Sequence, residues 1–275
     1  MTQPLVVLTY PGHFLLTVLT IQSYFHHHPP VPITVIADDL TDSCWESYIE
    51  DCCHLYKSTV IPVSSIIVAT QFNAGWIRQQ AVKLYLDQVL DYDNWFFTDG
   101  DVEFHFPAPK NVIPYVITRG GLIQQQQNNY VSKILGIANP GIWAEHPDMN
   151  WQSGTCRHQV CVSNPPFRTM TANTLIKLRT HIEQLHKQPL TRLLLNADQS
   201  LSEWEILASF QNIILKENIP AVYYPTTLIG KNNKSHLNYC STCFTTDSAF
   251  NRSWWQEKNI AVNDRIWNNI VNISK

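Results

Sequence analysis

The segment 94–106, Asn-Trp-Phe-Phe-Thr-Asp-Gly-Asp-Val-Glu-Phe-His-Phe, constrains the fold of this 275-residue chain more than any other stretch. Its first half is bulky and apolar on both sides of any pleat, as a strand covered on both faces requires. The run stops at Asp99-Gly100-Asp101 and then resumes in alternating style. Gly100 permits a turn or a close approach of backbone to a ligand. On an extended chain two carboxylates at i and i+2 point to one side. That pair suits Mg²⁺ or Mn²⁺, which take hard oxygen ligands. The same triplet also reads as a solvated Asp-Gly turn, so its neighbours have to decide between the two.

The preceding residues alternate between strand and helix. Residues 5–9 form an apolar strand, 14–25 a helix stopped by Pro29-Pro30, and 33–37 a second strand ending at Asp38-Asp39. A mixed helix over 41–55, a short strand over 59–63 and a helical pattern over 75–91 follow, the last offering Trp76, Ala81 or Val82, Leu84 or Tyr85, and Leu90 to one face. Continuous apolar strands separated by helices predict an α/β fold, a mostly parallel central sheet with helices on both faces. Ligands of such sheets sit beyond the carboxyl ends of the strands. Thr9-Tyr10-Pro11, Asp38-Asp39 and Asp99-Gly100-Asp101 are three such ends, expected to converge on one crevice.

The second half is less regular. Strands are expected over 112–119, 159–162 and 221–224, and helices over 171–188, 202–217 and 253–273, with the polar run 124–129 as a loop or connector. No repeat or long linker divides the chain, so a single domain over 1–275 is expected. Ser202-Glu203-Trp204-Glu205 has the form of a capping box, with Ser202 as N-cap and Glu205 at the third helical position. Capping leaves Glu203 without a task, apart from the favour an acid finds in a helix's first turn.

Composition removes several classes. Charged residues are 15% and hydrophobic residues 44%, which is globular rather than disordered. A net charge of −3 leaves no footprint for nucleic acid. No run is long and apolar enough for a membrane span, and the start Met-Thr-Gln-Pro lacks the form of a signal peptide. A cytoplasmic setting is expected, the host cytoplasm for a viral chain. Seven scattered cysteines fit free thiols. Cys240 and Cys243 have the spacing of half a zinc site, without a second pair to complete it.

Three segments together carry a resemblance: Gly75-Trp76-Ile77-Arg78-Gln79-Gln80-Ala81-Val82-Lys83-Leu84, Phe97-Thr98-Asp99-Gly100-Asp101 and Ser202-Glu203-Trp204-Glu205. In their order and spacing the chain resembles the GT-A glycosyltransferases, in particular a group of nucleotide-sugar transferases with a DxD motif from bacteria and large DNA viruses. The middle glycine and preceding threonine of Thr98-Asp99-Gly100-Asp101 depart from the small or apolar residues often found there.

The resemblance implies a Rossmann-like nucleotide-sugar-binding half (1–106), an acceptor half with a C-terminal helix (107–275), and a divalent cation, Mn²⁺ or Mg²⁺. It implies a nucleotide-sugar donor, UDP-sugar first and GDP- or dTDP-sugar after it, and transfer to a hydroxyl of a glycan or other acceptor. Asp101 would bind the metal, Asp99 the ribose or the metal through water, and Asp38 or Asp39 the base or ribose. Thr9 and Tyr10 would line the base pocket, and His236 would be a late third metal ligand. Gln79 is carried by the resemblance alone.

Arg78 and Lys83, five apart on one helix, need not share a face. One is expected at the diphosphate, Arg78 by preference, with the other in solvent. An inverting reaction needs a base, for which Glu203 is the candidate; His158 would line the acceptor cleft or assist proton transfer. Each histidine has a purely structural role as its alternative. Two other readings stand beside sugar transfer. A nucleotidyl- or phosphotransferase also uses paired carboxylates and metal, although no Gly-x-x-x-x-Gly-Lys-Ser/Thr loop or Asp-x-Asp-x-Thr pattern is present. A non-catalytic glycan- or nucleotide-binding module would bind without turnover.

Overall fold

The computed structural model describes residues 3–10, 14–40, 57–72, 75–100, 102–104, 115–119, 122–138, 160–163, 167–197, 201–217, 221–223 and 241–243. The helices expected over 41–55 and 253–273, and residues Asp101, His158 and His236, lie outside them.

Strands β1 (Leu5–Thr9), β2 (Ile33–Ala37), β3 (Thr59–Pro62), β4 (Asn94–Asp99) and β8 (Phe167–Thr171) form the central sheet in the order β3-β2-β1-β4-β8. The first four are parallel, and β8 runs antiparallel to β4. The fold is α/β with a mostly parallel sheet, as expected. Strand β8, at the edge of the order, was not anticipated, because Phe-Arg-Thr-Met-Thr lacks the continuous apolar run of the inner strands. A three-stranded sheet, β7 (Val160–Ser163), β6 (Tyr115–Arg119) and β9 (Ala221–Tyr223), and a ribbon of β5 (Val102–Phe104) with β10 (Ser241–Cys243) complete the strands described.

The pleat sorts side chains onto two faces. Val6, Leu8, Ile36, Trp95 and Phe97 belong to one core, packed with residues of α2 (Gly75–Lys83), α3 (Leu122–Leu135), α4 (Ala172–His186), α5 (Leu190–Leu195) and α6 (Glu203–Ser209). Leu5, Val7, Ile33, Val35 and Phe96 belong to the other, closed by Ile21 and Tyr24 of α1 (Phe14–His27) and by Val102 and Phe104. Truncating Trp95 or Phe97, both wholly buried, would cost about 3–5 kcal/mol by the usual behaviour of buried aromatics.

Several expected elements change shape. The pattern over 75–91 is a helix only to Lys83, followed by a 3₁₀ turn at Leu86–Gln88. Arg179 of α4 pins that turn, pairing with Asp87 and donating to the Leu84 carbonyl at 2.7 Å. Trp76, expected on the apolar face, is 44% exposed. The polar run 124–129 is part of helix α3 rather than a loop; glutamine is a good helix former, and Val131, Ile134 and Leu135 bury the helix's second half. The helix expected over 202–217 turns π-helical at Phe210–Ile214. Among the described residues no helix is long and apolar enough to cross a membrane.

Gly100 has a steric task. A Cβ there would lie 2.4 Å from Thr17 Oγ1 and 2.9 Å from the Leu8 carbonyl oxygen. The loop after β4 therefore runs flush against the end of β1 and helix α1, rather than needing a left-handed turn. Hydroxyls one turn apart on α1 then guide the chain onward: Val102 N donates to Thr20 Oγ1 and Phe104 N to Ser23 Oγ, each at 3.0 Å. Gly100→Ala should destabilise the protein by about 1–3 kcal/mol, the range for overpacking against a backbone atom that cannot move aside. Urea unfolding measures this, and an unchanged midpoint would contradict the packing described.

Candidate active site

The carboxyl ends of β1, β2 and β4 are level. Leu8 pairs in register with both Ile36 and Asp99, and Thr9 with Ala37. From β1 the chain moves outward to β2 and β3, whereas β4 lies on the other side of β1. The gap between β1 and β4 is thus the point where strand order reverses, where parallel α/β sheets bind their ligands. Thr9, Asp38 and Asp99 meet here, as their positions at strand ends predict.

Most of their polar atoms are already used by the protein. Thr17 Oγ1 donates to Thr9 Oγ1 at 2.6 Å, and both threonines are buried. Asp38, 1% exposed, takes two bonds from Arg78 on Oδ2, from Nε at 3.0 Å and Nη2 at 2.8 Å. Its Oδ1 accepts from Leu40 N at 3.2 Å. The third arm of the Arg78 guanidinium, Nη1, donates to the Phe72 carbonyl at 2.9 Å. Arg78 is therefore neither in solvent nor free to face a diphosphate. It fixes the loop after β2 to α2, a use suited to a planar fork of donors. Asp39 is half-buried and its Oδ1 accepts from Ser64 N at 2.8 Å. Tyr10 lies half-buried just past the end of β1.

Lys83 occupies the centre of the site. Asp99 follows Trp95 and Phe97 on the same side of β4, the side covered by α2 and α6. The last residue of α2 is Lys83, and its Nζ lies 2.8 Å from Asp99 Oδ1 and 2.7 Å from Glu203 Oε1. The ammonium is also 5.4 Å from the Phe97 ring centre and 5.0 Å from that of Trp204, within cation–π range. Its side chain is only 4% exposed. Burial alone would pull the ammonium's pKa down, but the charges of Asp99 and Glu203 reverse this and hold it above its ordinary value. The Asp99 side chain remains 28% exposed, so its carboxylate opens on the crevice.

Glu203 is wholly buried. Gln80 Oε1, one turn before Lys83 on α2, accepts from its backbone N at 3.1 Å. Two residues of one helix thus hold the first residue of α6 by backbone and by side chain. Burial pushes the Glu203 carboxyl above its ordinary range, and the Lys83 charge offsets part of that. So placed, its carboxylate is closed off from solvent and lies against Lys83.

Ser202 is the N-cap, accepting from Glu205 N at 3.4 Å. The return bond of a capping box is absent: both Glu205 carboxylate oxygens are buried without a hydrogen-bond partner. Glu203 Oε2 likewise has no hydrogen-bond partner, but Oε1 faces the Lys83 ammonium at 2.7 Å, so Glu203 is ion-paired and Glu205 is not.

Of the other expected residues, Gln79 is half-buried beside Gln80, and it is Gln80 that bridges to α6. Among the described residues no three His, Cys, Asp or Glu side chains gather as a metal cage. Asp99 brings one open carboxylate; Asp101 and His236, the other proposed ligands, lie outside the described residues. The Lys83 bridge was missed from the sequence. Its signal was the i, i+3 pair Gln80 and Lys83 on a helix whose second half is buried.

Desolvation pushes the Glu205 carboxyl from 4.5 up to about 8. Above pH 4.5 the unfolded chain ionises this group while the folded protein keeps it neutral, so its contribution to stability falls as pH rises toward 8. Glu205→Gln removes that loss. The stability difference between variant and wild type should grow in favour of the variant by about 1 kcal/mol per pH unit over this window. Urea unfolding across pH measures it, and a pH-independent difference would contradict an unpaired buried carboxyl.

No protein-family model matches the chain, and no curated protein does. Among solved structures, the bifunctional glycosyltransferase WbbM in its apo form is 12% identical, with 80% of this chain and 38% of that one covered, at a TM-score of 0.47. The chain thus spans well under half of WbbM. An active-site mutant of LgtC is 12% identical over 84% of this chain and 79% of its own, also at 0.47. The inositol-1-phosphate CTP transferase from T. maritima is 8% identical, covering 95% of this chain and 98% of its own at 0.46. What this chain does has to be read from its own residues.

Proposed function

We propose that this protein is a metal-dependent glycosyltransferase of GT-A type, moving a sugar from a nucleoside-diphosphate donor to a hydroxyl of a glycan or other acceptor. The observation that carries this reading is the Asp99 carboxylate, held by Lys83 yet open to the crevice where the order of β1 and β4 reverses. UDP-sugar is the first donor to test, then GDP- and dTDP-sugars.

Asp99 and Asp101 would hold Mn²⁺ or Mg²⁺, with His236 as a further ligand. When bound, such an ion neutralises the charge that develops on a departing nucleoside diphosphate. Asp99 would bring a hard oxygen donor, since its carboxylate stays partly open to the crevice. Tyr10, half-buried past the end of β1, is proposed for the nucleoside side of the crevice, with Thr9 supporting it from behind, wholly buried on Thr17. Asp39, the less buried of its pair, is the one to reach a ribose; Asp38 and Arg78 shape the pocket wall. His158 is proposed for the acceptor side. Glu203 does not enter as base, because its carboxylate is buried against Lys83.

Mn²⁺ with UDP, at about a hundredfold over Kd, should raise the melting temperature by about 5 °C. Asp101→Ala and Asp99→Asn should remove the shift. Indifference of the wild type to UDP, GDP and dTDP with either metal would overturn the proposal. Mass spectrometry of the product separates sugar transfer from nucleotidyl transfer, and binding without turnover of any donor would mark a non-catalytic module.

A further inference from the structure

Lys83 presents a difficulty for a cation site. A fixed ammonium 2.8 Å from a carboxylate meant to bind Mn²⁺ or Mg²⁺ cancels the charge that would attract the ion. The structure resolves this on the other side of the same nitrogen. Glu203 Oε1 lies 2.7 Å from Nζ, wholly buried, in a helix start that Gln80 fixes through the backbone. With Nζ 2.8 Å from Asp99 and 2.7 Å from Glu203, the trio in its ion-paired form sums to one net negative charge, and Asp99 is the member open to the crevice.

We infer that Glu203 is a charge-compensating, positioning residue: it offsets Lys83, so that Lys83 can hold Asp99 in place without cancelling its attraction for a divalent cation. This rests on the proposal that Asp99 lies at a metal–diphosphate site. It separates two tasks. Lys83 sets the orientation of the Asp99 carboxylate, and Glu203 sets the charge that carboxylate presents. A base at Glu203 would act on turnover alone; a compensating charge acts on cation binding before any chemistry.

The test is the affinity for Mn²⁺ in saturating UDP, read by electron paramagnetic resonance of free Mn²⁺, with melting temperatures taken on the same samples. Glu203→Gln should weaken Mn²⁺ binding about tenfold, a Coulomb effect through a partly screened site. The double variant Lys83→Met with Glu203→Gln restores the net charge of Asp99 and should recover affinity to within about threefold of wild type. Should the single variant fail to fold, the double variant is read alone: an affinity within about threefold of wild type supports compensation, and lost binding overturns it. Wild-type binding with an unchanged Glu203→Gln affinity would overturn this inference and leave the proposed function standing. So would a double variant that stays as weak as the single one or does not fold. No Mn²⁺ binding by the wild type would overturn both.

Discussion

A buried lysine between two carboxylates organises this molecule. Lys83 is out of water, and removing an ammonium from water is costly unless charges and hydrogen-bond acceptors replace the solvent. Asp99 at the end of β4 and Glu203 at the start of α6 supply them, and the rings of Phe97 and Trp204 line the rest. One contact therefore ties three separate parts of the chain together. The central strand, the helix before it and a helix a hundred residues later meet at one nitrogen. Loss of either carboxylate would leave the buried ammonium with one partner in place of two, which is why the three segments must dock together.

A second buried pair does similar work nearby. Arg78 and Asp38 join the loop after β2 to the first turn of α2, and the Phe72 carbonyl takes the remaining arm. Both sets of ion pairs originate on α2, so this nine-residue helix holds the ends of β2 and β4 that border the crevice. Buried ion pairs contribute little net stability compared with apolar packing. Their value here is geometric: they set where Asp38 and Asp99 stand relative to the ends of β1 and β4.

Much of the fold was legible because the signals were local. Continuous apolar runs gave β1, β2 and β4, and their polar ends gave the crevice. Elements governed by distant partners were harder to see. Strand β8 carries Arg168 and two threonines and is recruited by the edge of β4. Helix α3 hides its apolar contacts behind a run of glutamines. In the site, the residue types were readable and the pairings were not. Arg78 and Lys83 looked like one phosphate ligand and one solvated charge; both are buried, Arg78 on Asp38 and Lys83 between Asp99 and Glu203. Glu203 and Glu205 looked like base and cap, yet the cap bond at Glu205 uses only its backbone, and Glu203 is the one held by α2. Side-chain pairing across a hundred residues leaves no periodic trace, so spacing alone could not assign it.

With a ligand bound, Glu203 should remain with Lys83 while Asp99 turns its charge to the ligand. A crystal structure with UDP and Mn²⁺ tests that directly. It should show the nucleotide at the β1–β4 gap, Asp99 facing the metal–diphosphate group, and Glu203 still against Lys83 and away from the acceptor side. A Glu203 carboxylate swung out of its buried position toward the sugar, with Lys83 released from Asp99, would contradict it.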